Sequence, residues 1–149
     1  MADSDNRAIV ERFVEALKSG DADAYESCLD DDALLSYPQS EERFRGRRNL
    51  RAMLEDFTSR DGGFRPNLEQ VIGDDPAWQL SPTYTLVRVE GSGEHFTATG
   101  RVRYPDGSEW HLVQVIEVRG GRIRLVTSYF AEPFDAPAWR APYREPSAP

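Results

Sequence analysis

Two histidines, one cysteine and one glutamine set in an apolar run are the residues whose types and places most invite a chemical reading. His95 opens an alternation in which His95, Thr97, Thr99, Arg101 and Arg103 share one side of a strand, with Phe96, Ala98, Val102 and Tyr104 on the other. Histidine titrates near neutrality and moves protons when a carboxylate orients it, although beside Glu94 at a strand end it sits as readily in solvent. Gln114 lies in the middle of LVQVI. A buried amide there must find a partner or cost a few kcal/mol, which a position on a pocket wall explains. It binds and polarises a carbonyl but carries no proton. Tyr37, Trp78, Trp110, Tyr129 and Phe130 supply rings that suit an apolar cavity, and equally an ordinary core. The expected alternation turns Trp110, Leu112, Gln114 and Ile116 toward the pocket, leaving His111, Val113, Val115 and Glu117 on the outer face.

The other clusters read as structure. A single cysteine, Cys28, excludes an internal disulfide and a cysteine-based zinc cluster, and on a short helix it packs as a small hydrophobe. Asp30, Asp31 and Asp32 are adjacent, and neighbours in a loop rarely converge on one ion, so no metal is expected. Arg43, Arg45, Arg47, Arg48 and Arg51 are interspersed with Glu41, Glu42 and Glu55, the pattern of a solvated, paired surface. A net charge of −8 over 149 residues argues against nucleic acid. No apolar run approaches a membrane span, and MADSDNRAIVERF has no apolar leader segment, so a cytoplasmic protein is expected.

These residues need elements to position them. The stretch 110–134 reads as two strands folded back at Gly120-Gly121, a pair that tolerates the positive φ of a tight hairpin turn. Residues 4–19 carry Ile9, Val10, Phe13, Val14 and Leu17 on one helical stripe, with Ser4 or Asp5 as cap and Gly20 as stop. Asp21 caps a second short helix bearing Ala24, Tyr25, Cys28 and Leu29. A short strand over 33–37, a polar loop over 39–45 and a third helix from Gly46 to about Phe57 follow. From Phe64 the period changes to two, with strands expected over 67–72, 78–80, 83–89 and 95–104. Helices followed by a curled antiparallel sheet make an α+β domain over 4–134. Residues 135–149 form a proline-rich tail, expected to run extended, whose Trp139 and Tyr143 dock on the body or on a second subunit.

The order of an amphipathic helix, SGDADAYESCL-DDDALLSYP, FRGRRNLRAML, a sheet and VRGGRIRLVTSYF resembles the nuclear transport factor 2 superfamily, and within it the SnoaL-like domains. The resemblance covers about residues 6–134 and implies three N-terminal helices against a cone-shaped, curved mixed or antiparallel sheet, with a pocket between them. It also implies a frequent homodimer and functions ranging from isomerases, cyclases, epoxide hydrolases and dehydratases to binding proteins and association modules.

The catalytic residues implied by the relatives are missing here. Where steroid isomerases place a tyrosine and an aspartate, this chain has Phe13 and Tyr37. Where the cyclases place a histidine and an acid, it has Gln114 and, in the acid's region, Glu132 alone; Ser128 stands where epoxide hydrolases want a carboxylate. The reading that remains is a cofactor-free pocket protein for a small, largely apolar metabolite. Glu132 and His95 would move a proton in an isomerisation, cyclisation or dehydration. Tyr37, Trp78, Trp110, Gln114, Ser128 and Tyr129 would hold the substrate. The alternatives are a non-catalytic carrier or sensor, and a dimerising association module.

Overall fold

A computed structural model describes residues 3–59, 68–70, 85–103 and 109–146. Helix α1 (Asp3–Ser19) ends at Gly20, whose φ of 71° is the left-handed stop its position suggests. Asp21 caps α2 (Ala22–Cys28), its carboxylate accepting from Ala24 N at 3.0 Å. Strand β1 (Leu29–Tyr37) begins directly after α2. Asp30 to Asp32 therefore lie in a strand rather than the expected loop. The Asp30 carboxylate accepts from the Asp32 amide, and Asp31 pairs with Arg47 at 2.9 Å.

The polar loop expected over 39–45 is corrected in part. Glu42–Arg45 forms β2, an antiparallel edge strand on β1, and its charges are of the kind that keep an edge from pairing further. Helix α3 (Arg47–Ser59) follows Gly46, whose amide donates to Ala33 O at 2.8 Å and ties the helix start to β1. The remaining strands are β3 (Leu68–Gln70), β4 (Thr85–Ser92), β5 (His95–Arg103), β6 (Glu109–Arg119) and β7 (Arg122–Ala131). Gly120 and Gly121, at φ 60° and 76°, make the two-residue turn between β6 and β7. Trp78 and the strand expected over 78–80 lie outside the described residues.

The sheet order is β2-β1-β7-β6-β5-β4-β3, parallel at β1/β7 and β3/β4 and antiparallel elsewhere. Irregular register at 29/34 and 117/118, with Gly91 at φ 119° inside β4, bends strands where extra residues or a positive φ interrupt the ladder. The concave face receives the helices. Val10, Phe13 and Val14 of α1, Tyr25 and Cys28 of α2, and Leu50 and Leu54 of α3 pack against Leu35, Phe96, Ile116, Val118, Ile123 and Val126. Each large apolar side chain sealed there contributes roughly 1.5–3 kcal/mol. Two polar ties fix α1 to the sheet: Asn6 Nδ2 donates to Gly93 O at 2.8 Å, and Arg7 Nη2 to Val89 O at 3.0 Å. Among the described residues no helix is long and apolar enough to cross a membrane.

Candidate functional site

Alternation assigns the two faces. On β6, Trp110, Leu112, Gln114, Ile116 and Val118 turn toward the helices, while His111, Val113, Val115 and Glu117 turn away, as the pattern of the sequence suggests. Gln114 stands abreast of Ser128 on β7 and Ala98 on β5. Asn6, Gln114 and Ser128 are the buried polar residues among those described, and Gln114 Nε2 donates to Ser128 Oγ at 3.2 Å. Asn6 Oδ1 is the buried side-chain polar atom left without a partner among the described residues. The carbonyl end of the Gln114 amide is therefore not sealed, and Gln114 keeps 8% of its surface accessible. Along β5 the inner side chains shrink from Phe96 through Ala98 to Gly100, and these last two lie opposite Gln114 and Leu112.

A second polar pair borders the first. Continuing the β1/β7 register, Ser36 beside Thr127, places Tyr37 abreast of Ser128. The Tyr37 ring meets Phe44 and Phe130 edge-on, each at 5.2 Å, an aromatic corner between β2, β1 and β7. Gln39 closes this corner by accepting from the Phe130 amide. Tyr25 of α2, 4% exposed, stacks on Phe13 at 5.3 Å. Burial pushes its phenol well above the ordinary tyrosine range, and the neighbouring Tyr37 phenol pushes it the same way. Tyr25 is the site residue that helical periodicity hides. The apolar stripe accounts for its ring, whereas a phenol on a buried helix face also has a hydroxyl to place. Cys28 is buried as expected, and desolvation raises its thiol above the usual range.

Two expectations are corrected by the register. His95 pairs with Glu117 at one end of β6, whereas His111, at the other end, pairs with Ala131, the residue before Glu132. Six residues of strand, roughly 20 Å, separate these rungs, so His95 and Glu132 form no acid–base pair. Both are exposed. The polar row His95, Thr97, Thr99 and Arg101 belongs to the outer face, since Phe96 and Ala98 are the buried side of β5. Tyr129, abreast of Val113, is likewise on the outer face and 43% exposed, which removes it from the inner wall. Tyr37, Gln114 and Ser128 are neighbours on the inner face, and Trp110 lies on the same face four residues along β6 from Gln114.

The outer face also carries an open groove of about 260 Å³ lined by Asp32, Leu34, Arg45, Glu117, Arg119, Arg124 and Leu125. Its charged walls do not suit an apolar ligand. Among the described residues no three His, Cys, Asp or Glu side chains gather as metal ligands.

The family model described as a SnoaL-like domain matches residues 10–126. The chain belongs to the SnoaL-like domain family. Among solved structures, this SnoaL-like domain is similar to an NTF-2 like protein of unknown function from Burkholderia xenovorans, 29% identical, with a TM-score of 0.74 and 99% of each chain covered. A protein from Kribbella flavida named as a candidate ketosteroid isomerase gives 18% identity and a TM-score of 0.74, covering 100% of this chain and 95% of that one. An LEH-like epoxide hydrolase from M. tuberculosis gives 22% and 0.60, covering 86% and 84%. The last two share the fold alone. No curated protein matches the chain.

Proposed function

We propose that this SnoaL-like domain is a binding protein for a small, largely apolar molecule bearing one hydroxyl group, held between the helices and the inner face of the sheet. The observation that carries the reading is the Gln114–Ser128 pair: an amide buried on an apolar wall, fixed at one end by 3.2 Å and unsealed at the other. An amide in that state is made good by a ligand hydroxyl that donates to its oxygen, and the Tyr25 and Tyr37 phenols offer further neutral partners. Among the described residues no aspartate, glutamate or histidine is buried, and proton transfer at neutral pH needs a group that titrates near it. That supports holding the ligand over transforming it, although structural relatives carry the names of an isomerase and an epoxide hydrolase.

1-Phenylethanol and cumene test this reading, because they differ only in OH against CH₃. Calorimetry on the wild-type chain is expected to favour the alcohol by about tenfold, the worth of one hydrogen bond in a dry site. The double variant Gln114→Leu/Ser128→Ala, which removes both partners together and strands neither, is expected to erase the preference while keeping the affinity for the hydrocarbon. Equal binding of the two probes by the wild type, or a preference that survives in the variant, would overturn the assignment.

A further inference from the structure

The charged groove on the outer face is built by an irregularity in the sheet. Leu34 of β1 pairs with Arg45 of β2 and with Leu125 of β7, and Leu125 pairs with Glu117 of β6. Paired residues share a face, so one rung crosses four strands with a base at one end, two leucines in the middle and an acid at the other. Beside this rung the ladder breaks. Ile123 pairs with Leu29 on one side and Val118 on the other, and Leu125 is paired on both sides, but Arg124 between them has no partner on either neighbouring strand. Ile123 is buried within, whereas Arg124 and Leu125 both line the groove, so two consecutive side chains share the outer face. A bulge re-aims a side chain in this way. On β1, residues 30–33 stand against the single Arg124, and Asp32 among them reaches the same groove.

Most of the charges lining the groove have partners. Glu117 accepts from Arg119 at 3.4 Å, and Arg119 also stands 3.8 Å from Glu94. Arg45 Nη1 donates to the Asp32 carbonyl at 3.3 Å. The Arg124 guanidinium and the Asp32 carboxylate have no ion-pair or hydrogen-bond partner among the described residues, and they do not meet each other. The chain's own tail does not cover them. Residues 132–146 are exposed and none lines the groove. Ala138–Tyr143 forms a 3₁₀ turn where an extended path was expected, and Phe134, Trp139 and Tyr143 stay exposed, which corrects the alternative that the tail docks on its own body.

We propose that this groove is a second binding site, for a small zwitterion with an apolar body such as a free aliphatic α-amino acid. Its carboxylate lies on Arg124, its ammonium on Asp32, and its side chain over Leu34 and Leu125. A guanidinium takes a carboxylate through two parallel N–H···O bonds. A simple carboxylate would meet Asp32 as a like charge, and a simple amine would meet Arg124 and Arg45 in the same way; a zwitterion satisfies both signs at once. The volume of about 260 Å³ lies below the roughly 300–1,000 Å³ of sites for drug-sized ligands, which limits the occupant to a small molecule. Because Arg124 and Asp32 are both exposed, water and salt screen the contacts, and the expected dissociation constant is about 1 mM.

Amide chemical-shift titration of the full chain with three probes tests the site. L-Leucine carries both charges, 4-methylpentanoate lacks the ammonium, and isopentylamine lacks the carboxylate. Leucine is expected to shift the amides of Leu34, Glu117, Arg124 and Leu125 and to saturate, with each half-charged probe at least about tenfold weaker. Arg124→Gln and Asp32→Asn are each expected to weaken leucine by about tenfold or more, and Arg124→Lys to restore only part of the loss, since an ammonium has no planar fork. Both altered residues are exposed, so the circular dichroism of each variant should match the wild type. No shift at these amides up to about 50 mM leucine, well above the expected constant, would overturn the proposal. So would 4-methylpentanoate binding as tightly as leucine, or a leucine affinity unmoved by Arg124→Gln.

Discussion

The Gln114 amide and the Tyr25 phenol show how one side chain acquires a role from its surroundings. Gln114 was legible in the sequence because an amide inside LVQVI has no partner of its own. Its partner, Ser128, became a partner only through the β6/β7 register, a non-local fact. Tyr25 is hidden for the opposite reason, since its ring satisfies the helical stripe and its hydroxyl leaves no mark on the periodicity. Its burial has a measurable consequence. A phenol whose folded pKa is raised keeps its proton in the native state after the unfolded chain has lost it. The stability it contributes is complete below the ordinary tyrosine pKa of about 10 and is lost as pH climbs beyond it, at up to about 1.4 kcal/mol per pH unit. Urea unfolding between about pH 8 and 11 should show this decline, and Tyr25→Phe should flatten it. Cys28 contributes a loss of the same sign, starting nearer its own ordinary value, which persists in both proteins. An unchanged alkaline slope in Tyr25→Phe would mean that its phenol is not desolvated.

At the scale of elements, local signals carried through and long-range ones did not. Gly20, Asp21 and Gly120-Gly121 act on their immediate neighbours, so the helix stop, the cap and the hairpin were all readable. Strand β2 has a charged sequence and becomes a strand only because β1 lies beside it, and no local pattern announces such an edge. The same dependence undid the proposed His95–Glu132 pair, which required knowing the rung on which each strand ends. Gly91 is a sharper case of local necessity. Its φ of 119° is open to glycine, and an added Cβ would collide with His95 O and come within 2.8 Å of Phe96 Cα. Because both neighbours belong to the β5 backbone, Gly91→Ala should destabilise the domain by about 2–3 kcal/mol or more, read as a lower urea midpoint at unchanged m-value. A midpoint within experimental scatter of the wild type would show that the β4/β5 hairpin relaxes around the new methyl.

For the whole molecule, the two faces of one sheet divide the work. The inner face, under three helices, gathers Tyr25, Tyr37, Gln114 and Ser128 among apolar neighbours, all neutral at pH 7 and all able to exchange hydrogen bonds. On the outer face, Val115 and Tyr129 remain open to water, with an aromatic arm leaving the sheet two residues beyond Tyr129. This division was legible in outline, because alternation on β6 separates Gln114 from Val113 and Val115 before any coordinates are known. Which face each neighbouring strand contributes, and hence the exclusion of Tyr129 and His95 from the inner wall, required the register. The central claim is that the unsealed amide marks where a ligand sits. A crystal structure of the chain soaked with 1-phenylethanol tests it most directly. The alcohol is expected between the helices and the sheet, with its hydroxyl donating to the Gln114 amide oxygen at roughly 2.5–3.0 Å. 1-Phenylethanol bound only in the charged outer groove, or an inner space filled by the protein's own side chains, would contradict it.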